Sequence, residues 1–236
     1  LQDEFRASNH VIHLNGVLRS NDQEMWVGGY WNPSWYGPYG APEFHMGVST
    51  LHFENWVNGY FYFYHPNGLD ADQSHIIFEH GGYLQDNGHD FFNITFRNDG
   101  YVNDCDVLGK LLFERYGRYY GYQRYVHEVE FQGLGFLQSY ETRFDVALFR
   151  DAGGIGHEPG QANCDQNGNN NHFGTATFED NGWLFGNSDF DQLTFSPGKV
   201  YRLQNGSVQT INAGGSLNAV STGCDNFITI IGCQAG

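Results

Sequence analysis

Two glutamates have the spacing that an acid–base reaction on a sugar requires. Glu128 and Glu130 lie two positions apart in a stretch with strand periodicity, Tyr122–Phe131. Residues two apart on a strand face the same side, and their Cα atoms are about 6.6 Å apart. Retaining glycoside hydrolases hold their two carboxyl groups about 5–5.5 Å apart. The pair is therefore a candidate for glycoside hydrolysis, and an acidic face turned toward water is the alternative interpretation.

The pair resembles the acids of jelly-roll glucanases of the laminarinase type, which carry catalytic acids on one strand. That family has the pattern Glu-x-Asp-x-x-Glu. In this chain Phe131, Gln132 and Gly133 follow Glu130, so the third acid of the pattern is missing. The resemblance implies glycoside hydrolysis on a jelly roll, which is the third of three functional hypotheses.

The glutamates belong to the most strongly β-patterned part of the chain, Tyr119–Arg150. In its second half one face carries Tyr140, Thr142, Phe144, Val146 and Leu148, and the other carries Glu141, Arg143 and Asp145. Such alternation predicts a strand with one buried and one solvent-facing side. The link Gln132-Gly-Leu-Gly-Phe136 suits a bend between adjacent strands. We therefore predict a long antiparallel hairpin at the centre of the fold.

Composition favours strands joined by tight turns. The 236 residues include 32 glycines and 17% aromatic residues but only 6 prolines, a mixture typical of β-structure. Asn-Gly signals at 58–59, 181–182 and 205–206 each predict a hairpin turn, and no repeat of fixed period is found. We predict an all-β, antiparallel, jelly-roll-like β-sandwich with many short hairpins and little or no helix. Residues 19–236 would form one domain, with a sub-boundary at 153–171.

Residues 1–18 are predicted to form one long N-terminal strand. Because an exposed sheet edge is a template for an added strand, one interpretation is that this strand is donated to a neighbouring subunit. The other is that it stays in its own domain. The residues predicted to make assembly contacts are Phe5, Ala7, His10, Val11, Ile12 and Leu14.

An aromatic loop rich in proline and glycine follows, at 25–43. Rigid aromatic side chains on such a loop suit stacking on sugars or contact with another subunit. They would equally cover the open end of the chain's own core. The candidate contact residues are Trp26, Trp31, Trp35, Tyr36 and Tyr39.

Charge limits the partners. The net charge is −16, from 11 Lys and Arg against 27 Asp and Glu, so phosphate backbones are repelled and nucleic acid is not predicted as a partner. No run of 18 apolar residues is present, which predicts no membrane insertion. No cofactor is predicted other than a candidate structural Ca²⁺, for which oxygen side chains stand at alternate positions; Asx-rich turns explain the same residues. The candidate ligands are Asp70, Asp72, Asp165, Asn167 and Asn169.

Cysteines and sequons predict a secreted chain. Cys105, Cys164, Cys224 and Cys233 lack the CxxC spacing of zinc sites. Two disulfides are favoured, Cys105 with Cys164 and Cys224 with Cys233, over other pairings or buried thiols. Asn93 and Asn205 begin glycosylation sequons, and the chain begins at Leu1 without a signal peptide, as a processed secreted protein would.

Three functions remain. The first is a non-enzymatic structural subunit of an extracellular fibre or surface layer, a homo-oligomer or polymer formed by strand addition. The second is a carbohydrate-binding, lectin-like module with a glycan partner. The third is the jelly-roll glycoside hydrolase.

Overall fold

Strands and turns make up the described part of the chain. The computed structural model describes residues 1–32, 42–54, 59–63, 68–86, 88–156, 170–219 and 226–233, and no helix occurs in these ranges. The all-β prediction is therefore confirmed. The chain divides into two compact units, Leu1–Glu114 and Arg115–Gly236. The predicted sub-boundary at 153–171 lies within the second unit.

The first unit contains three sheets, with strands numbered in chain order. The first sheet has the order β1 (Phe5–Ala7), β4 (Met25–Val27), β7 (Thr50–Phe53), β10 (His75–Phe78), β13 (Asn93–Phe96) and β15 (Asp106–Phe113), with β12 (Asp90–Phe91) also paired to β15. The second sheet has the order β2 (Val11–Ile12), β5 (Tyr30–Asn32), β8 (Gly59–Phe63), β11 (Gly82–Asp86) and β14 (Gly100–Asn103). The third has β3 (Gly16–Arg19), β6 (Pro42–His45) and β9 (Leu69–Asp70).

The second unit contains two sheets, between which the chain alternates. One sheet has the order β17 (Tyr125–Phe131), β19 (Arg143–Phe149), β21 (Asn171–Phe178), β23 (Ser188–Phe195) and β25 (Gln209–Asn218). The other has the order β16 (Gly117–Tyr122), β18 (Gly135–Tyr140), β20 (Gly153–Ile155), β22 (Gly182–Leu184), β24 (Val200–Gln204) and β26 (Thr229–Cys233).

Strand pairing within both units is parallel throughout the described residues. The prediction of an antiparallel jelly-roll sandwich is therefore wrong. Parallel neighbours need a crossover connection and cannot be joined by a tight turn. Here the crossover is a strand of another sheet, so each unit is a parallel β-solenoid in which one coil stacks on the next.

The predicted central hairpin shows the difference clearly. β17 and β19 do lie side by side, but they are parallel, with Tyr125 opposite Arg143 and Phe131 opposite Phe149. Between them the chain passes through β18, which belongs to the other sheet. The glycine-rich link at 132–136 is therefore a corner between sheets.

The Asn-Gly signals also mark corners. The strands that flank Asn181-Gly182, β21 and β22, lie in different sheets, as do β24 and β25 around Asn205-Gly206. A type I′ hairpin turn needs positive φ at both central residues, and Gly182 does not have it. Residue 58 of the remaining Asn-Gly signal lies outside the described residues, and β8 after it pairs in parallel with β5 and β11.

A short sequence repeat sets the length of the coil. Paired residues are 18 positions apart between β10 and β13, 17 between β13 and β15, and 18 between β17 and β19. At the corner between the two sheets the coils carry Phe-x-x-x-Gly, at 78–82, 96–100, 131–135, 149–153 and 178–182. The motif thus recurs without a fixed period, since the spacing between paired residues also reaches 25 positions between β7 and β10. Connections of other lengths, such as 29 positions between β19 and β21, conceal the recurrence.

Phenylalanine rings, most of them from this motif, stack on one another inside each unit. In the first unit, ring centroids lie 4.8 Å apart for Phe53 and Phe78, 4.4 Å for Phe78 and Phe96, and 5.1 Å for Phe96 and Phe113. In the second unit the separations are 5.2 and 4.6 Å along the column Phe131, Phe149 and Phe178. Neighbouring strands are about 4.7–4.9 Å apart, so in-register pairing itself brings the rings into contact.

Each glycine of the motif lies where the phenylalanine ring leaves no room for a side chain. A Cβ added to Gly153 would lie 2.6 Å from the carbonyl oxygen of Gly135 and 2.8 Å from Cδ1 of Phe149. A Cβ on Gly182 would lie 2.8 Å from Cδ1 of Phe178. The ring and the glycine are therefore one packing pair.

The alternation predicted for Tyr140–Arg150 holds only at its start. Phe144 is buried as expected, but Val146 is 36% exposed and Ala147 is buried in its place. Asp145 and Val146 both face away from the core, and burial resumes at Ala147 and Phe149. A strict period of two does not anticipate two successive outward residues within one strand.

Residues 1–18 form short strands instead of one long strand. β1, β2 and β3 pair with β4, β5 and β6 of the same chain, and each lies at the edge of its sheet. Among the predicted assembly residues, Ile12 is 48% and Leu14 38% exposed, while Phe5, Ala7 and Val11 are half-buried. Donation to another subunit stays a prediction.

We expect Gly153→Ala to lower the free energy of unfolding by about 1–3 kcal/mol, the usual cost of overpacking. The new methyl group would press on backbone and on the stacked Phe149 ring, neither of which can move alone. Urea denaturation followed by circular dichroism measures the change.

Gly232→Ala is the matched control in the same unit, because a Cβ there meets nothing within 4 Å. Equal stability of the two variants would show that the ring does not close the space over the glycine.

Candidate functional site

The most distinctive outward surface of the first unit is a patch of tyrosines on its second sheet. β8, β11 and β14 alternate strictly between buried and partly exposed residues. The six partly exposed side chains are uncharged, and we call them the tyrosine face: Tyr60, Tyr62, Tyr83, Gln85, Tyr101 and Asn103.

Parallel register arranges these side chains in two columns that cross the strands. Tyr83 is opposite Tyr60 on one side and Tyr101 on the other. The ring centroids in this first column are 6.1 and 6.4 Å apart. In the second column Gln85 lies between Tyr62 and Asn103. An aromatic column therefore runs beside a column that ends in amide groups and a hydroxyl.

Contacts between the columns hold the rings in place. Tyr62 stacks on Tyr60 at 5.6 Å with an interplanar angle of 7° and lies 6.0 Å from Tyr83. Asn103 Nδ2 donates a hydrogen bond of 3.3 Å to the hydroxyl of Tyr83. Because the backbone beneath is a hydrogen-bonded sheet, the face is a rigid surface.

The aromatic column continues toward the N-terminal edge of the sheet. Tyr30 of β5 is opposite Tyr60, and the imidazole of His10 stacks on Tyr30 at 3.8 Å. The nitrogen Nδ1 of His10 accepts the backbone N–H of Tyr30 at 3.1 Å. His10 was predicted as an assembly residue, and the structure places it at the end of this column.

This surface is suited to binding. Tyrosine combines a broad apolar ring with a hydroxyl that donates and accepts hydrogen bonds, and amides do both as well. The C–H groups on one side of a sugar ring pack against aromatic rings, while its hydroxyls bond to such polar groups. The face carries no carboxylate, imidazole or thiol for acid–base or nucleophilic chemistry.

The tyrosine face is not evident in the sequence, because its rings come from three coils. Tyr60–Tyr64 attracts notice as a single aromatic run, and nothing in its local pattern links it to Tyr83 or Tyr101. The usable signal was the dipeptide Gly-Tyr, which recurs at 59–60, 82–83 and 100–101. Stacked coils convert that recurrence into a column.

A groove of about 440 Å³ in the second unit is a weaker candidate. Its walls include Leu134, Ala152 and Val200, and Arg202 supplies one cation. Trp183 lines it, but that residue is only 5% exposed and packs near Phe136. A ring so well covered offers little surface for stacking.

A polar cluster around Asp145 is a second feature that sequence analysis missed. Tyr125 donates its hydroxyl hydrogen to Oδ2 of Asp145 at 2.5 Å, and Nδ1 of His127 lies 3.1 Å from the same oxygen. Arg143 Nε donates to Oδ1 at 3.0 Å. Partial burial opposes ionisation, but these hydrogen bonds prevail and lower the pKa of Asp145 to about 2. The same bond to Asp145 raises the pKa of Tyr125.

Of the two predicted catalytic glutamates, Glu130 is buried and paired with an arginine. Arg150 Nε donates to Oε1 of Glu130 at 2.5 Å and Nη1 to Glu179 at 3.1 Å. The side chain of Glu130 is only 5% exposed, whereas Glu128 is half-buried. A carboxylate covered and paired in this way holds neighbouring coils together, and hydrolysis by this pair stays a prediction.

The two predicted aromatic contact residues that the structure describes, Trp26 and Trp31, do not share one surface. Trp26 faces outward from the first sheet, between the guanidinium of Arg6 at 4.6 Å and the parallel ring of His52 at 3.7 Å. Trp31 is fully buried and stacks on Phe44 at 4.5 Å. Trp35, Tyr36 and Tyr39 lie outside the described residues.

The predicted calcium ligands fall in two places. Asp70 and Asp72 line a groove of about 480 Å³ together with His89 and Asp90. In the part of the chain that the structure describes, no three His, Cys, Asp or Glu side chains are placed to hold a metal ion. Asp165, Asn167 and Asn169 lie outside that part, and the calcium site stays a prediction.

The disulfide and glycosylation predictions also remain. Cys105 is fully buried, Cys233 ends β26, and Cys164 and Cys224 lie outside the described residues. Asn93 is half-buried, and its Oδ1 accepts the backbone N–H of Lys110 at 2.9 Å. Asn205 is exposed at a corner, which suits an attached glycan better.

We expect Asp145→Asn to destabilise the protein by about 1–2 kcal/mol near pH 7. The folded pKa of about 2 is below the ordinary 3.8, so the ionised form stabilises the fold above about pH 4. That stabilisation is lost as the pH falls toward about 2. Urea unfolding at several pH values should therefore show the variant and the wild type converging in acid.

Asp3→Asn, at an exposed carboxylate, makes the same charge change as a control and should have little effect at any pH. A pH-independent deficit for Asp145→Asn would mean that packing, and not ionisation, explains its contribution.

Comparison with known proteins gives no match for this chain. No family model matches it, and neither a curated protein nor a solved structure does. Among the described residues no helix is long and apolar enough to span a membrane. Any statement of function has to come from the chain's own side chains.

Proposed function

We propose that this protein is an extracellular carbohydrate-binding β-solenoid that holds a polysaccharide on its tyrosine face. The observation that carries this proposal is the in-register column Tyr60, Tyr83 and Tyr101, with ring centroids 6.1 and 6.4 Å apart. Glycan binding was predicted for another set of aromatics, Trp26 to Tyr39, and the proposal moves it to this surface.

Rigidity favours binding on this surface. A side chain that is already ordered loses little conformational entropy when a ligand arrives, and that loss is one of the main costs of association. The tyrosine rings are fixed by stacking and by the hydrogen bond from Asn103 to Tyr83. The face is thus organised before a sugar reaches it.

The structural-subunit hypothesis is the second candidate, and the edge strands favour it. β1, β2 and β3 lie at one edge of the sheets of the first unit, and β25 and β26 at one edge of the second unit's sheets. Strand edges are templates for further pairing. Exposed apolar residues accompany both edges, among them Ile12, Val17, Leu217 and Ile230. Two copies could therefore stack coil on coil through a head-to-tail contact, which builds open filaments.

Replacing Tyr83, at the centre of the first column, tests glycan binding. Tyr83→Ala removes one stacking contact of about 0.5–1.5 kcal/mol, so the Kd for a bound polysaccharide should rise roughly 2- to 12-fold. Affinity electrophoresis in gels containing soluble polysaccharide or isothermal titration calorimetry measures the change.

Tyr122→Ala is the matched control, because Tyr122 is an outward tyrosine of the second unit and is 57% exposed. It should leave the Kd unchanged. If Tyr83→Ala binds as tightly as the wild type, the tyrosine face is not the binding surface.

A charge placed on an edge strand tests assembly. Ile12→Lys puts a cation on β2, and lysine on an edge opposes strand addition. If copies stack, the variant should sediment as a smaller species than the wild type at equal concentration.

Val48→Lys, at a residue that is 57% exposed outside any strand, serves as the control and should assemble normally. A wild-type chain that remains monomeric at every concentration would argue against assembly.

A further inference from the structure

The two columns of the tyrosine face also define what kind of glycan fits. We infer that the ligand is a linear, uncharged polysaccharide that crosses the strands, with successive sugars on successive coils. This inference rests on the proposed function and specifies its substrate class. It concerns the direction of the bound chain, its minimum length and its charge.

The direction follows from where equivalent side chains recur. Along one strand the pattern is short, because β8 presents two tyrosines whereas β11 and β14 present one tyrosine and one amide each. Across the strands, by contrast, the same ring recurs at Tyr60, Tyr83 and Tyr101. A polymer repeats its own unit, so its stacking surfaces match a row that repeats as well. The row crosses three coils.

The second column supplies polar contacts parallel to that path. Tyr62, Gln85 and Asn103 lie in register beside the three tyrosines. A sugar stacked on one ring would direct hydroxyls toward the hydroxyl or amide of the same coil. Each coil therefore offers one stacking group and one hydrogen-bonding group, which together match one sugar residue.

The minimum length of the bound oligosaccharide follows from the number of coils that carry the tyrosine face. Three successive coils carry the paired groups, so affinity should grow up to about three sugars. Tyr30 and His10 extend the aromatic column on the side of β5, which allows a further contact without a second polar partner. Longer chains gain little beyond that point.

The expected charge of the ligand follows from the side chains of the tyrosine face and from the net charge of the chain. The six side chains of this face are tyrosines and amides, with no lysine, arginine or histidine among them, and the sequence has a net charge of −16. A uronic-acid polymer would meet no cation on the face and a repulsive field around it. Neutral glycans avoid both costs, and their binding does not depend on salt.

Calorimetry with oligosaccharides of defined length provides the test. The probes are β-1,4-linked glucose and N-acetylglucosamine oligomers of one to six residues, with polygalacturonate as the charged probe, at low and high NaCl concentrations. We expect affinity to rise at least tenfold from one to three residues, to gain modestly with a fourth and to level off beyond it. Binding should be unaffected by NaCl, and polygalacturonate should not bind.

The variant Tyr83→Ala separates failure of this inference from failure of glycan binding itself. In that variant the trisaccharide should lose affinity while the monosaccharide changes little, because the central contact is gone. Tyr83-dependent binding of polygalacturonate, or an affinity that is the same for one and six residues, would overturn the inference and leave the proposed function standing. Glycan binding that ignores Tyr83, or no binding of any probe, would overturn both.

Discussion

The contact between stacked phenylalanine rings constrains everything else in these two units. Each ring lies 4.4–5.2 Å from its counterpart in the next coil across most of both columns. That distance equals the spacing of hydrogen-bonded strands, so rings and backbone reinforce the same register. Stacked aromatic pairs contribute about 0.5–1.5 kcal/mol each beyond burial. Glycine at the following corner is the condition for this packing, because the ring occupies the space of a side chain.

The individual strands could be predicted from the sequence, whereas the parallel direction of their pairing could not. Alternation and aromatic content are properties of single strands, and they correctly predict strands at Tyr125–Phe131 and Arg143–Phe149. Parallel and antiparallel pairing leave nearly the same local pattern. The sequence signal that distinguishes parallel from antiparallel pairing here is the recurrence of Phe-x-x-x-Gly at intervals near 18 residues. Asn-Gly dipeptides near these corners have the same sequence as hairpin turns, which is why antiparallel hairpins were predicted there.

The functional surface was hidden for a related reason. Glu128 and Glu130 form a recognisable motif because they are close together in the sequence. The structure pairs Glu130 with Arg150, and Arg150 also pairs with Glu179. The tyrosine face, by contrast, collects residues 18–23 positions apart. In a solenoid, neighbours in space are residues at the same position of successive coils, so a site appears in sequence as a recurrence.

The column Phe131, Phe149 and Phe178 has a consequence for how such a chain can change. Phe149 stands 18 residues after Phe131 and Phe178 stands 29 after Phe149, yet both contacts are tight and nearly parallel, at 5.2 and 4.6 Å. The register of the coils therefore does not depend on the number of residues that connect one strand to its neighbour in the sheet. During evolution, one connecting loop of such a protein can gain or lose residues while the stacked core keeps its packing. New surface features can therefore arise without compensating changes in the core.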